Sequence, residues 1–254
     1  MSDKIIFSVK LAGHVIGVSV MYESTRSFLK DYLADEEPEF SVSVVPEDIQ
    51  KEREKSEREA LKEGHEVYRH SDAYLETLAL YRKIADGLSS YDVLLFHGSA
   101  SAMDHEAYIF TAKSGTGKST HTRLWRKAFG EKVFMVNDDK PLLKITEDGV
   151  YVCGTPWNGK HRMSTNTEVK LKRLCILERA AENHIEKVEG EALRKAYPLI
   201  VQQTYRSSDP AAMMKTMSLI DELIQKVPVY RLGCNMDPEA AYVAYEGMNR
   251  EETV

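Results

Sequence analysis

The sequence predicts an α/β protein with a mixed central β-sheet, helices on its faces and its chemistry at strand ends. Three observations predict it. From Asp92 onward, short apolar runs (Val93–Phe96, Ala107–Thr111, Val133–Val136) alternate with Gly, Ser and Asp clusters, the texture of a sheet whose loops carry function. A strand, a Gly-rich turn and a helix follow one another over residues 107–128. Late in the chain, Asp-Pro pairs announce two helices.

Length and composition agree with that class. The 254 residues are 43% apolar and 29% charged, a globular composition. A chain this long buries enough surface to need no disulfide or metal staple. Its 34 Lys and Arg against 40 Asp and Glu give a net charge of −6, which argues against a general nucleic-acid binder and leaves room for a local basic patch. Cys153, Cys175 and Cys234 have no metal-ligand or disulfide spacing, so buried thiols in a reducing compartment are expected. No signal-peptide region and no run of about 18 apolar residues is present, so the expected setting is cytoplasmic, with no membrane partner.

The elements follow in order. Residues 5–21 read as two short strands around a turn at Ala12–Gly13–His14, and residues 23–33 as a short helix. Residues 40–45 alternate as a half-buried strand. Residues 47–63 are mostly Glu, Lys and Arg, with opposite charges four apart at Glu47 and Lys51 and at Glu54 and Arg58. That pattern predicts a solvated helix rather than a dedicated interaction arm. Residues 71–88 place Tyr74, Leu75, Leu78, Tyr81, Ile84, Ala85 and Leu88 on one helical face, with Ser71 or Asp72 as cap. These strands and helices, residues 1–90, are expected to pack on the core formed by residues 91–254, since no Pro/Gly linker separates them. Near the C-terminus, Asp209-Pro210 and Asp237-Pro238 each read as an N-cap followed by Pro in the first turn. Residues 211–226 and 239–248 are the helices they begin, and residues 227–232 the strand between them. Met213, Met217, Ile220 and Ile224 form the apolar face of the first.

The strongest motif is Ala112–Thr120, a small residue, four others and then Gly117-Lys118-Ser119. Gly115 and Gly117 allow turns that aim backbone N–H groups inward, and the helix N-terminus behind them completes a phosphate cradle. Ser114, Gly115, Thr116, Gly117, Lys118, Ser119 and Thr120 are the candidate binding residues. Lys118 supplies a point charge to the phosphates, and the Ser119 hydroxyl a ligand for Mg²⁺. A second element, Val133–Val136 followed by Asn137, Asp138 and Asp139, brings carboxylates to a strand end. One Asp is read as a metal ligand and the other as the group that takes a proton from a hydroxyl, in either order. His97 ends the apolar run 93–96 just upstream and is a candidate catalytic residue. The shaped loop 154–162 offers Lys160 and Arg162 as cations for transferring phosphate charge.

With these pieces in order, His97-Gly98-Ser99-Ala100, Ser114–Thr120 and Asp138-Asp139, the chain resembles the HPr kinase/phosphorylase and phosphoenolpyruvate carboxykinase superfamily. It resembles more closely a set of short bacterial HPr kinase-like proteins that share Asn137-Asp138-Asp139-Lys140-Pro141 and Gly154-Thr155-Pro156-Trp157. The resemblance implies a phosphate-loop domain of the carboxykinase-like fold and an ATP (or pyrophosphate) site with Mg²⁺. It implies phosphoryl transfer to a hydroxyl of a protein, peptide or small molecule. Lys118 then matches the phosphate lysine, Ser119, Asp138 and Asp139 the metal and base positions, and His97 the active-site His. Homo-oligomers are common in the family, and no patch here decides that point. The first ninety residues do not match the N-terminal domain of an HPr kinase, so HPr is not carried over as the acceptor. The competing readings are a slow ATPase switch and a nucleotide-binding module without turnover.

Overall fold

The computed structural model describes residues 4–64 and 66–250. The chain divides into two compact units, Met1–Leu88 and Ser89–Val254.

The first unit has a sheet of its own. β1 (Ile5–Leu11) and β2 (His14–Val20) form an antiparallel hairpin. Its turn has Ala12 and Gly13 both at positive φ, the geometry that matches strand twist in a two-residue connection. The helix α1 (Glu23–Phe28) is shorter than the stretch 23–33, which ends in a 3-10 turn. β3 (Leu33–Ala34) and β4 (Phe40–Ser43) complete the order β3-β1-β2-β4. The charged segment is the helix α2 (Pro46–Glu63), and α3 is Asp72–Leu88. α2 is not solvated all round: Ile49 and Glu52 are buried, Arg82 Nε donates to Glu52 at 2.6 Å, and Lys83 pairs with Asp48 at 3.0 Å. The expected pair of Glu54 and Arg58 lies on its exposed side. On α3, Tyr74 is exposed while Leu75, Leu80, Ile84 and Leu88 are fully buried. Glu76 is also fully buried, its carboxylate accepting from the Met21 and Tyr22 amides and the Thr25 hydroxyl at the start of α1.

The second unit is a mixed α/β structure with one large sheet. Its strands are β5 (Val93–Leu95), β6 (Ser99–Met103), β7 (Glu106–Thr111), β8 (Val133–Asn137) and β9 (Leu142–Thr146). They continue with β10 (Gly149–Cys153), β11 (Glu168–Arg179), β12 (His184–Lys187) and β13 (Val229–Cys234). The main order is β5-β9-β10-β11-β7-β6-β8, with β13 beside the second half of β11 and β12 beside β13. β11 runs parallel to β7 and β13, and the other pairings are antiparallel.

Four helices cover the two faces: α4 (Lys118–Phe129), α5 (Gly190–Gln203), α6 (Pro210–Lys226) and α7 (Glu239–Asn249). Alternation along β7 sorts the core. Ala107 and Ile109 join a cluster with Ile200 of α5 and Leu219, Ile220 and Leu223 of α6. Tyr108 and Phe110 join another with Leu124 and Trp125 of α4 and Ala240, Ala241 and Ala244 of α7. The sheet is therefore a middle layer, and its strand ends open onto the loops that follow β7 and β8.

Two expectations need correcting. Asp209 caps α6, its carboxylate accepting from Ala212 N at 2.8 Å. α7 starts at Glu239 with no side-chain cap, because the Ala240 amide donates to the Asp237 carbonyl at 3.0 Å rather than to its carboxylate. The last strand lies two residues later than predicted, at Val229–Cys234. Among the described residues no helix is long and apolar enough to cross a membrane.

Candidate active site

β7 ends at Thr111, and α4 begins seven residues on at Lys118. Between them Gly115 has φ +76° and Gly117 φ +126°. A Cβ on Gly115 would meet nothing within 4 Å, so backbone conformation rather than space requires glycine there. Gly117 is the cap residue of α4 and brings no side chain to its first turn. The amides at that end keep the arrangement that binds anions. Lys118 Nζ donates to the Ala112 carbonyl at 3.3 Å, folding the lysine back over the loop. Arg179, at the end of β11, donates to Gly115 O at 2.6 Å. Ser114 and Gly115 are exposed, and Thr116 to Thr120 are half-buried.

The acidic pair follows β8 in a turn built by Asn137. Its buried side-chain oxygen accepts from Asp139 N at 2.8 Å and Lys140 N at 2.7 Å, while its amide donates to Thr155. Thr155 Oγ1 in turn donates to the Lys140 carbonyl at 2.7 Å. The loop 154–162 is thereby fastened to the acidic turn. Gly154 has no room for a side chain, since a Cβ would lie 1.9 Å from Thr165 O.

The two aspartates have different surroundings. Asp138 is 5% exposed and accepts from the Ser99 hydroxyl at 2.6 Å. Ser99 Oγ is 3.1 Å from Thr122 Oγ1 on α4, and Thr122 donates back to the carbonyls of Lys118 and Ser119. Asp138 is thus tied to the start of α4 through two hydroxyls. Asp139 is about a third exposed, with Oδ1 3.2 Å from His97 Nε2 and Oδ2 3.2 Å from Lys140 Nζ. Burial alone would raise the Asp139 carboxyl, but the His97 hydrogen bond and the Lys140 charge outweigh it and hold it below the usual carboxylate value. Burial also lowers His97, which the hydrogen bond to Asp139 only partly offsets. Burial thus disfavours the charged imidazole, while its Nε2 faces the Asp139 carboxylate. Burial lowers Lys118 too, against the charges of Asp139 and Asp138 and with that of Lys140.

His97 is held from both sides. Its N–H donates to Gln203 O at the end of α5 at 2.7 Å, and its carbonyl accepts from Thr111 Oγ1 at 3.0 Å. The next amide, Gly98 N, donates to Asp139 O at 3.1 Å. Of the residues singled out from sequence, the fold therefore gathers His97, Lys118, Asp138 and Asp139. Ser119 stands at the start of α4, joined to Asp138 through Thr122 and Ser99. Lys160 and Arg162 lie exposed on the turn that passes Asp139. Sequence reasoning missed Ser99, Thr122, Asn137, Lys140 and Thr155 as site residues. Only Asn137 carried a local signal, an Asn directly before the pair and able to close an Asx turn.

Among the described residues no three His, Cys, Asp or Glu side chains form a metal cage. Mg²⁺ does not need one, since it takes one or two carboxylates with substrate phosphates and waters. The hard oxygens of Ser119, Asp138 and Asp139 fit that requirement.

No family model matches the chain, and no curated protein matches it. Solved structures that match include the HPr(Ser) kinase/phosphatase from Coxiella burnetii, at 11% identity and a TM-score of 0.35. That match covers 60% of this chain and 94% of the other.

Proposed function

We propose that the protein is an ATP- and Mg²⁺-dependent phosphotransferase that moves the γ-phosphoryl group to a serine-type hydroxyl. The observation that carries the reading is the placement of Asp139. It is reachable from solvent, fixed by His97 and Lys140 at 3.2 Å each, and within the electrostatic reach of Lys118.

The first-turn amides of α4 and the loop backbone bind the phosphate tail, with Lys118 as its point charge. Ser119 and the buried Asp138 would hold Mg²⁺, which when bound neutralises charge on the phosphates. Asp139 accepts the hydroxyl proton. His97 donates its Nε2–H to one Asp139 oxygen and so fixes the carboxylate plane, the role an orienting group plays toward a base. Positioning and charge stabilisation supply most of the acceleration, because the transferring group needs little covalent help.

The test is calorimetric titration with ATP, with and without Mg²⁺, followed by transfer assays. Micromolar to millimolar binding is expected, weakened at least tenfold in Lys118→Met. Asp139→Asn should keep nucleotide binding and lose roughly 10²–10⁴-fold in transfer rate. Full transfer activity in the Asp138→Asn, Asp139→Asn double variant would sink the assignment. Phosphate release that no acceptor accelerates would instead identify an ATPase switch.

A further inference from the structure

The turn over residues 159–163 is pinned to the acidic pair at both ends. A Cβ on Gly159 would lie 3.0 Å from Asp139 Cβ, and Met163 O accepts from Asp138 N at 3.0 Å. Gly159 and Arg162 both have positive φ, and Arg162 N donates to Gly159 O at 3.4 Å. Between these anchors Lys160, His161 and Arg162 are exposed, and among the described residues their side chains have no partner.

Some cations elsewhere in this unit are matched by carboxylates. Lys170 pairs with Asp148, Lys195 with Glu191 and Lys215 with Asp92. The only carboxylates in the site loops are Asp138 and Asp139, already engaged by Ser99, His97 and Lys140. The segments 112–120, 137–141 and 154–162 hold five Lys and Arg against these two, in a chain of net charge −6. Lys118 and Lys140 stand on the other two segments, beside the acidic pair. The turn therefore directs a surplus positive field outward, past the carboxylate that receives the acceptor.

We infer that the acceptor is an acidic peptide segment, a Ser or Thr hydroxyl delivered to Asp139 with neighbouring carboxylates read by Lys160 and Arg162. The inference rests on the phosphotransferase reading and narrows its acceptor. A peptide fits better than a small metabolite because the reading cations stand on an exposed turn rather than in an enclosing cavity. An extended chain advances about 3.3 Å per residue, so residues flanking the hydroxyl pass the turn. In the transfer step the hydroxyl oxygen bonds to the γ-phosphorus of ATP. The bond from that phosphorus to the β,γ-bridging oxygen breaks, ADP leaves with the electron pair, and the hydroxyl proton passes to Asp139.

The experiment is a positional-scanning Ser/Thr peptide library phosphorylated by the full chain with radiolabelled ATP and Mg²⁺, repeated with the Lys160→Glu, Arg162→Glu double variant. The native protein should select Asp and Glu near the hydroxyl, with KM about tenfold lower for the selected acidic peptide than for its neutral counterpart. The advantage should shrink as salt rises. Charge reversal should invert the preference toward Lys and Arg. Equal use of acidic and neutral peptides, selection of basic ones, or an unchanged preference in the double variant overturns the inference and leaves the kinase standing. ATP binding with no transfer to any library member also overturns it, while leaving the nucleotide site intact. Failure to bind ATP at all would overturn the proposed function itself.

Discussion

Asp138 and Asp139 are adjacent in sequence and chemically unlike in the fold. A strand end that turns at Asn137 sends one inward to Ser99 and the other outward to His97 and Lys140. The His97 hydrogen bond and then the Lys140 charge hold the Asp139 carboxyl low, so Lys140→Met should raise the acid limb of the transfer pH profile part of the way toward the ordinary carboxylate value. It should also slow transfer roughly tenfold or more, as loss of an aligned charge does. Single-turnover rates across pH measure both, and an unmoved limb would refute the pairing. With Asp139 and His97 both titrating below their usual values, neither should contribute a limb between about pH 7 and 8. A second residue, His121, is buried on α4, takes a hydrogen bond from Trp125 Nε1 at Nε2, and has no partner at Nδ1. Burial lowers its pKa from 6.5 to about 3. The unfolded chain then binds a proton that the folded chain refuses between those values. Stability contributed by this site is full above about pH 6.5 and lost as pH falls, by up to about 1.4 kcal/mol per unit. Denaturant unfolding of His121→Leu between pH 7 and 4 should show that slope removed, whatever the variant's absolute stability. The glycine-rich turn between β7 and α4 was legible because its pattern is local: two glycines, a lysine and a hydroxyl in nine residues. Ser99 and Thr122 were not, because their meaning comes from partners 39 and 23 residues away in sequence.

Helices with an end signal were readable, and strands without a clean pattern were not. β6 is Ser99-Ala100-Ser101-Ala102-Met103, small residues fully enclosed between β7 and β8, which no apolar run announces. β11 carries Lys170, Lys172 and Arg173 in its first half, so composition hid the strand that pairs with β7, β10 and β13. α5 contains Pro198 in its interior, where a missing donor and ring clash normally argue against a helix. The two Asp-Pro signals show how far a local rule reaches. Asp209 is extended and its carboxylate meets the Ala212 amide; Asp237 has the same neighbour and does not cap α7. Asp209→Ala should therefore cost about 1 kcal/mol and Asp237→Ala only a few tenths, a contrast that paired chemical denaturation curves would expose. Equal losses would mean that the second helix starts as its sequence suggests.

At the scale of the whole molecule, charge and chemistry are divided between the two units. Residues 1–88 hold 12 Lys and Arg against 18 Asp and Glu, and residues 89–254 hold 22 against 22. The entire net charge of −6 resides in the first unit, while the candidate phosphate site lies in the neutral one. The bulk charge that argues against general polyanion binding therefore says little about the surface an anionic ligand meets. Every residue of the candidate site, from His97 to Arg162, comes from the second unit. So do the members of the two core clusters that line the faces of its sheet. A chain of residues 89–254 is also long enough to bury a core of its own. It should fold cooperatively and bind ATP with Mg²⁺ within about threefold of the full chain, as calorimetry on both would show. Loss of nucleotide binding in a fragment that still unfolds cooperatively would mean that the first unit supplies a group the phosphate tail requires. The loop, the acidic turn and the cationic turn would then be an incomplete site, despite sharing one set of hydrogen bonds.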